Sequence, residues 1–335
     1  MRTTSPASNI GWGVLGTGWM ARAFAADLLQ EDGADAVAVA SRDRVRGEAF
    51  RAEFGFVTAY GSYEELVADP RVDIVYIATP HAMHAEHCRL ALRAGKAVLC
   101  EKPWTLHAST AEAIAHEARE RGLFFMEAMW TRHFPAIHAL GELLEEEHIG
   151  ALRSLHADFS IAVPFDPRHR LFDPALGGGA LLDLGIYPIA LAQLAWGEVP
   201  DEVGALATFA PNGVDLSTAA VLRFREGGLA SIRASLEVRS PQQAELIGTK
   251  GRIAIPDFFH PDTLHVEVAG EAARALHFPF RGRGWGLQVE EAMRCMRAGL
   301  TESPRMPIAE SLATLRTLDR IRAEIGLRYP GDPPA

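Results

Sequence analysis

The chain has 335 residues, enough for two domains with separate cores, and its 48% hydrophobic and 23% charged residues are typical of a soluble globular protein. Its 43 acidic and 33 basic residues give a formal net charge of −10, which disfavours nucleic acid as a partner because binding to phosphate needs a basic field. No window approaches the roughly 18 uninterrupted apolar residues of a membrane span, and residues 1–9 contain no apolar run typical of secretory signals.

The first part of the chain alternates strand-like and helix-like patterns. The apolar run Ile10–Leu15 predicts a buried strand, and an S-x-x-E capping box at Ser62 predicts the start of a helix. Further apolar runs predict strands at residues 36–40, 73–78, 97–100 and 123–126. Alternating β and α units of this length predict an α/β Rossmann domain, a parallel sheet covered by helices, which we assign to residues 1–128.

The second part of the chain has a different pattern. Apolar and polar residues alternate strictly in residues 154–161 and 230–239, which predicts strands with one buried and one polar face. The pair Gly227-Gly228 lies between two such strands and predicts a hairpin turn. Helical patterns are also present at residues 179–196 and Ile308–Ile325. We therefore predict a C-terminal α+β domain over residues 129–335, with a large, mostly antiparallel open sheet.

A glycine-rich sequence follows the first predicted strand and opens the first predicted helix. It fits the pattern G-x-G-x-x-[GA] and consists of Gly16, Thr17, Gly18, Trp19, Met20 and Ala21. The first glycine permits a tight turn, the second lets the backbone approach a pyrophosphate, and the alanine lets the helix pack closely on the sheet. Because free N–H groups and the helix dipole attract phosphate here, we predict a dinucleotide site; the alternative is a tight turn that merely requires glycine.

The end of the second predicted strand distinguishes the two nicotinamide cofactors. NAD sites place a carboxylate there for the ribose 2′-hydroxyl, whereas this strand ends in Ser41 and Arg42. A hydroxyl and a guanidinium suit a 2′-phosphate, because arginine donates a fork of charged hydrogen bonds. Asp43 comes one residue late and is expected to point away. We predict NADP(H) in preference to NAD(H), the alternative being that Arg42 is an exposed loop charge.

Two polar segments end neighbouring predicted strands. The segment Thr79-Pro80-His81 follows the strand at residues 73–78, and Glu101-Lys102-Pro103 follows the strand at residues 97–100. Both therefore lie at the carboxyl edge of the sheet, where open α/β sheets bind ligands. Lys102 is placed to reach nicotinamide and substrate, and the alternative is an ordinary exposed lysine.

A second candidate pair lies in the predicted helix at residues 179–196. Asp183 and Tyr187 are four residues apart, so they share one helix face. An ammonium group beside a tyrosine lowers the pKa of the hydroxyl from about 10, so Lys102 and Tyr187 would form a proton-transfer pair. Asp183 would hold the substrate or orient Lys102. Plain packing of this helix is the alternative.

Together these motifs resemble those of a known protein family. The chain resembles the glucose–fructose oxidoreductase and inositol dehydrogenase family (Gfo/Idh/MocA) in its phosphate loop, Ser41-Arg42, the E-K-P motif and the D-x-x-x-Y motif. The resemblance covers essentially the whole chain. Longer stretches beginning at Ala59, Ala94, Met126 and Gly178 look closer to the dimeric dihydrodiol dehydrogenase subgroup, which includes NADP-dependent xylose dehydrogenases.

The resemblance implies roles for individual residues. Lys102 and Tyr187 would be catalytic, and many family members carry histidine at the latter position, so inositol and glucose–fructose activities are disfavoured. Residues implied to line the cofactor or substrate pocket are Thr79, Pro80, His84, Glu101 and Trp130, with Arg170 as a further candidate. Family members often dimerise through the open sheet, which implies a homodimer or higher homo-oligomer; the alternative is that the polar strand faces simply contact water.

The histidines and cysteines do not predict a metal site. His81, His84 and His87 are spaced three apart, but successive steps of three drift by about 60° on a helix, so the three rings do not converge easily. We expect His81 and His84 at the strand-to-helix turn beside the nicotinamide. The three cysteines are odd in number and lack a C-x-x-C pattern, which favours a reducing compartment, and we expect a cytoplasmic protein.

These inferences predict an NADP-dependent oxidoreductase. It would transfer a hydride between nicotinamide and a hydroxyl-bearing carbon of a small polyhydroxylated substrate, of the D-xylose or trans-dihydrodiol type. One alternative is a sugar reductase similar to 1,5-anhydrofructose reductase, and another is a non-catalytic NADP-binding regulator on the same fold. We expect neither a nucleic acid nor a membrane as partner.

Overall fold

The computed structural model describes residues 9–225, 227–330 and 332. The expectation that residues 1–9 carry no secretory signal therefore lies almost wholly outside the described residues. The chain forms two compact units, Met1–His133 with Arg281–Leu312, and Phe134–Phe280 with Ala313–Ala335. A single boundary after residue 128 does not represent this division, because the chain returns to the first unit for residues 281–312.

The first unit contains a six-stranded sheet with helices between its strands. The strands are β1 (Ile10–Leu15), β2 (Ala34–Ala40), β3 (Thr58–Tyr60), β4 (Ile74–Ile77), β5 (Ala97–Glu101) and β6 (Phe125–Ala128). The helices are α1 (Trp19–Leu28), α2 (Arg44–Phe54), α3 (Tyr63–Ala68), α4 (His84–Arg93) and α5 (Ala108–Arg121). All neighbouring strands are parallel, in the order β3-β2-β1-β4-β5-β6. The order reverses between β1 and β4, which is where such sheets open a ligand crevice.

The sequence explains most of these elements locally. All five strands expected from apolar runs are present, whereas β3 was not predicted because its three residues are only partly buried and form no apolar run. The capping box is also confirmed: the side chains of Ser62 and Glu65 each accept the other residue's backbone N–H at the start of α3. The predicted Rossmann architecture of this unit is therefore confirmed.

The second unit contains a larger, eight-stranded sheet. Its strands are β7 (Leu152–Ser160), β8 (Glu202–Phe209), β9 (Asp215–Arg223), β10 (Leu229–Ser235), β11 (Ala244–Gly248), β12 (Gly251–Ile255), β13 (Thr263–Val268) and β14 (Arg274–His277). Their order is β14-β13-β12-β11-β7-β10-β9-β8, and every pair is antiparallel except β7 with β10. Gly227, with φ 82°, lies in the predicted hairpin, which the Phe224 N–H closes by donating to the Gly228 carbonyl.

The second unit also contains α6 (Pro135–Glu145), which comes before β7 in the chain, and α7 (Ile186–Trp196), which comes between β7 and β8. The helix expected at residues 179–196 is not uniform, because Leu181–Gly185 forms a π-helical turn before α7 begins. Such turns are rare and are frequent at functional sites, and residue spacing does not predict them. Among the described residues, only the stretch Pro174–Trp196 has the length and hydropathy of a membrane span, but 89% of its apolar 18-residue window is buried in the structure, as in a core helix.

The chain ends with two helices, α8 (Gly286–Arg297) and α9 (Ile308–Ile325), the second with the predicted bounds. Helix α8 belongs to the unit that contains the parallel sheet. All three cysteines, Cys88, Cys100 and Cys295, are buried free thiols.

Candidate active site

The loop between β1 and α1 has the geometry of a phosphate site. Gly16 has φ 103°, and a Cβ there would lie 2.8 Å from the Ala78 carbonyl oxygen, so the turn requires glycine. A Cβ on Gly18 would meet no atom of the described residues within 4 Å, which leaves room for a ligand to approach the backbone. Helix α1 has no side-chain cap and no acidic residue in its first turn, so nothing in it competes with an anion. These features fit the pyrophosphate of a dinucleotide.

The carboxyl end of β2 presents a hydroxyl and a guanidinium. Ser41 is buried, and its Oγ accepts the backbone N–H of Asp43 at 3.2 Å. The Asp43 carboxylate in turn caps α2 by accepting the N–H groups of Val45 and Arg46, so it is engaged by the helix. Arg42 is exposed and lies near the side chain of Tyr63. Burial raises the pKa of that tyrosine, and the arginine acts in the opposite direction.

The loops that follow β4 and β5 are tied together by a buried histidine. The ring of His84 contacts the Thr79 carbonyl oxygen at 2.7 Å and the Pro103 carbonyl oxygen at 2.8 Å. Burial lowers the pKa of His84 to about 4, outweighing the two carbonyl oxygens, which favour the cation. His84 therefore connects the two loops that carry the predicted site residues.

Lys102 is buried, with 8% of its surface exposed, which excludes the alternative of an ordinary exposed lysine. Its neighbour Glu101, also buried, accepts the Tyr76 hydroxyl at 2.5 Å. On the other side, Glu127 of β6 accepts the Trp104 N–H at 3.0 Å. Burial raises the pKa of Glu127 to about 7, and the charge of Lys102 acts in the opposite direction. Two buried carboxyl groups thus hold the segment that carries the lysine.

The second unit holds the other candidate residues. Asp183, buried in the π-helical turn, accepts a 2.9 Å hydrogen bond from the guanidinium of Arg170. Tyr187, in the first turn of α7, is 8% exposed and meets the rings of Phe159 and Phe259 edge-on, at centroid distances of 5.2 and 6.4 Å. The two phenylalanine rings stack on each other at 4.3 Å. The Arg170–Asp183 ion pair and the rings of Phe159 and Phe259 therefore lie around the start of α7.

Buried hydrogen bonds hold the turn that carries Asp183 in place. The Asp215 carboxylate, which is fully buried, accepts the Leu181 N–H at 2.7 Å and the Thr218 hydroxyl at 2.8 Å. Burial raises the pKa of Asp215 to about 7. The Tyr329 hydroxyl donates to the Gly178 carbonyl at 2.9 Å, immediately before the turn. These contacts fix the position of the helix start.

The structure thus gathers the sequence-predicted residues into two groups. The first unit carries the phosphate loop and the residues at the strand ends, namely Gly16, Thr17, Gly18, Trp19, Met20, Ser41, Arg42, Thr79, Pro80, His81, His84, Glu101, Lys102 and Trp130. The second unit carries Arg170, Asp183 and Tyr187. The pairing of Lys102 with Tyr187 stays a prediction.

Sequence reasoning missed several contacts at these groups. Phe159 lies on a strand whose alternation indicated burial but not a contact with Tyr187. Tyr76 lies within an apolar run, which predicts strand core but not its hydrogen bond to Glu101. Trp285 stacks on Trp130 with centroids 4.6 Å apart and an interplanar angle of 8°, yet its segment carries no recognisable motif.

The histidine series is not arranged as a metal site. His87 contacts the Thr79 hydroxyl through Nδ1 at 2.9 Å, and its ring meets Tyr63 edge-on. His84 uses both nitrogens on backbone carbonyls. Within residues 9–225, 227–330 and 332, no group of three or more His, Cys, Asp or Glu residues is placed to hold a metal ion.

Comparison with known proteins agrees with this geometry. Residues 10–129 match the oxidoreductase family with an NAD-binding Rossmann fold, and residues 137–254 match the GFO/IDH/MocA C-terminal domain. The chain is 37% identical over 332 residues to trans-1,2-dihydrobenzene-1,2-diol dehydrogenase of Mus musculus, covering 96% of this chain and 98% of that protein. The Homo sapiens protein of the same name is 34% identical over 334 residues, with the same coverage.

Solved structures show the same architecture. A 3-ketoreductase from Actinomadura kijaniata, in complex with NADP and TDP-benzene, aligns with a TM-score of 0.87 and 32% identity over 95% of this chain and 98% of that chain. Structures of that enzyme include variants with a lysine replaced by alanine or glutamate, and one with a tyrosine replaced by phenylalanine. An aldose–aldose oxidoreductase from Caulobacter crescentus, at 23% identity over 94% of this chain and 97% of that chain and a TM-score of 0.87, shares the fold.

The parallel sheet, the phosphate loop and these relatives define an NAD(P)-dependent oxidoreductase that acts on CH–OH groups. The chain belongs to the Gfo/Idh/MocA family of oxidoreductases. The alternative of a non-catalytic regulator is thereby disfavoured, since the relatives are dehydrogenases and reductases.

Substitution of the two loop glycines, Gly16 and Gly18, should have different effects. Gly18→Ala adds a methyl group to open space and keeps an allowed φ of −73°, so we expect unchanged thermal stability but about tenfold weaker NADPH binding. Gly16→Ala should instead destabilise the fold by roughly 1–3 kcal/mol, because its φ is strained for alanine and its Cβ meets a carbonyl oxygen. Calorimetric melting and NADPH titration measure both. Normal NADPH affinity in Gly18→Ala would contradict the assignment of the loop.

Proposed function

We propose that this chain catalyses reversible NADP-dependent hydride transfer between nicotinamide and a hydroxyl-bearing carbon of a sugar or cyclic diol, of the D-xylose or trans-dihydrodiol type. The observation that carries the proposal is the burial of Lys102 at the carboxyl edge of the parallel sheet. A buried ammonium costs solvation free energy, so it is retained where a reaction uses its charge. The reductase alternative, similar to 1,5-anhydrofructose reductase, differs in the direction in which the reaction runs.

The proposed chemistry divides the work between cofactor and protein. The bound nicotinamide supplies the hydride acceptor. In the oxidation direction the substrate C–H bond gives up a hydride while the hydroxyl proton passes to the Tyr187 phenolate, and a carbonyl forms. Lys102 favours the phenolate form and stabilises negative charge on the substrate oxygen. Asp183, oriented by Arg170, accepts hydrogen bonds from neighbouring substrate hydroxyls.

Two observations support the substrate class. The rings of Phe159 and Phe259 offer an apolar surface beside Tyr187, which suits the hydrocarbon face of a ring, while the Arg170–Asp183 pair suits its hydroxyl groups. The relatives named above act on a dihydrodiol of benzene or bind TDP-benzene with NADP. A panel of D-xylose, D-glucose, trans-dihydrodiols, myo-inositol and anhydrofructose, assayed in both directions, therefore tests the class.

Substitution of the two proposed catalytic residues tests the mechanism. With the best substrate of that panel, Lys102→Ala and Tyr187→Phe should each lower kcat by roughly 10²–10⁴-fold, because each removes a group that acts in the transition state. Tyr187→Phe should leave the Kd for NADPH unchanged. The matched control is Tyr60→Phe, a tyrosine that hydrogen-bonds Asp69 in the first unit. Near-normal turnover in both active-site variants would exclude the proposed mechanism.

The preference for NADP over NAD rests on Arg42. Its guanidinium is exposed beside the buried hydroxyl of Ser41, and the nearby carboxylate of Asp43 is occupied in capping α2. We expect Arg42→Ala to weaken NADPH binding by about tenfold while NADH binding changes little, because only NADPH carries the 2′-phosphate. Arg44→Ala, an exposed arginine two residues on, is the control. A wild-type preference for NADH would overturn this assignment.

The open sheet of the second unit supports a homodimer. Leu206, Val221 and Leu229 lie on β8, β9 and β10 with 82%, 47% and 46% of their surfaces exposed. Strands β8 and β9 pair Leu206 with Ala219, so Leu206 and Val221 are diagonal neighbours on one face. A second copy of this chain would cover this apolar face. Light scattering should give twice the monomer mass for the wild type and the monomer mass for Leu206→Arg; a monomeric wild type would refute the dimer.

A further inference from the structure

Strand β4 carries one polar side chain among aliphatic ones. Its four residues are Ile74, Val75, Tyr76 and Ile77, and all four are fully buried. A buried hydroxyl loses its hydrogen bonds to water, so a tyrosine costs free energy at this place unless the protein supplies a partner. Glu101 is such a partner, since its carboxyl group accepts the Tyr76 hydroxyl at 2.5 Å. The hydrogen bond therefore accounts for a tyrosine where packing alone would accept phenylalanine.

The ring of Tyr76 is held by helix α1. It stacks on Phe24 with ring centroids 3.6 Å apart and an interplanar angle of 13°. Phe24 is itself buried and meets the ring of Trp12 on β1 at 5.5 Å. Because this close packing prevents the tyrosine ring from swinging away, its hydroxyl keeps its direction towards Glu101.

The carboxyl group of Glu101 joins Tyr76 to the segment that carries the lysine. Its Oε1 accepts the tyrosine hydroxyl, and its Oε2 accepts the backbone N–H of Lys102 at 3.3 Å. Glu101 and Lys102 are both buried. One carboxyl oxygen is therefore held by β4, while the other holds the backbone of Lys102.

Two more buried side chains, from α4 and β6, hold the residues that follow Lys102. His84 contacts the Pro103 carbonyl oxygen through Nδ1 at 2.8 Å, and Glu127 accepts the Trp104 N–H at 3.0 Å. Three consecutive residues of this loop are thus fixed by buried side chains. The hydrogen bond from the tyrosine acts on the first of them, which is the lysine itself.

We propose that Tyr76 is a positioning residue for the reaction, because its hydroxyl orients the Glu101 carboxyl group and this group sets the position of Lys102. The proposal rests on the proposed function, in which the Lys102 ammonium stabilises charge in the transition state. Such stabilisation depends on groups that are already in place before the reaction, so a small displacement of the ammonium lowers the rate.

Tyr76→Phe tests the proposal, because it keeps a ring on Phe24 and removes the hydroxyl. With the best substrate of the panel, kcat per NADPH-binding site should fall about tenfold. The KM for that substrate and the Kd for NADPH should stay at wild-type values, since the phosphate loop is untouched. Normalisation to NADPH-binding sites separates this effect from a loss of folded protein.

Tyr60→Phe is the matched control. It also removes a tyrosine hydroxyl of the first unit that bonds a buried carboxyl group, that of Asp69 at 3.0 Å. We expect wild-type kcat in this variant.

The position of Lys102 can also be observed without an activity assay, because the chain contains only three lysines, Lys96, Lys102 and Lys250. In protein labelled with ¹³Cε-lysine, the NMR signal that is lost in Lys102→Ala belongs to Lys102. Tyr76→Phe should shift this signal and leave those of the other two lysines in place. Tyr60→Phe should leave the Lys102 signal unchanged.

A double variant tests whether Tyr76 acts through Glu101. Adding Tyr76→Phe to Glu101→Ala should cause little further loss of kcat. An unshifted Lys102 signal in Tyr76→Phe, wild-type kcat in that variant when Lys102→Ala is impaired, or additive losses in the double variant would each overturn the proposal. Normal turnover in Lys102→Ala would refute the proposed function, whereas the Lys102 signal tests the positioning independently of it.

Discussion

Parallel pairing of the six strands in the first unit is the constraint on which its candidate site depends. Parallel strands direct all their carboxyl ends to one edge, so Gly16, Ser41, Thr79 and Lys102 follow strands that end side by side. The reversal of strand order between β1 and β4 opens that edge at the phosphate loop. The turn at Gly16 tolerates no side chain because it runs against the Ala78 carbonyl, so the loop that receives phosphate is itself a product of strand packing.

The candidate site is supported by polar groups that are costly to bury. Glu127 and Asp215 are fully enclosed, and burial raises the pKa of each to about 7. Each offsets part of that cost by accepting backbone N–H groups at a functional segment, Trp104 beside Lys102 in one case and Leu181 before Asp183 in the other. Hydrophobic residues in these places would pack well but could not hold a turn or a helix start in register. The free-energy cost of burying these two carboxyl groups is thus linked to the positioning of the segments that carry Lys102 and Asp183.

The sequence predicted what depends on local pattern and missed what depends on tertiary packing. The strand at Ile10–Leu15 and the helix at Ile308–Ile325 were predicted residue for residue, because an apolar run marks the strand and a helical pattern marks the helix. The π-helical turn at Leu181–Gly185 was missed, since its backbone departs from α geometry without any change in residue pattern. The contacts of Trp285 were missed for another reason: they are made with Trp19 and Trp130, which are remote in the sequence.

The contact between the Tyr329 hydroxyl and the Gly178 carbonyl has a consequence for folding during synthesis. A ribosome releases the chain from its N-terminus, so the helix that begins near Asp183 emerges about 150 residues before the tyrosine that fixes the loop in front of it. Arg322, which lies over the Tyr329 ring at 4.7 Å, also arrives late. The start of α7 therefore forms without these contacts and gains them only after residues 322–329 have left the ribosome.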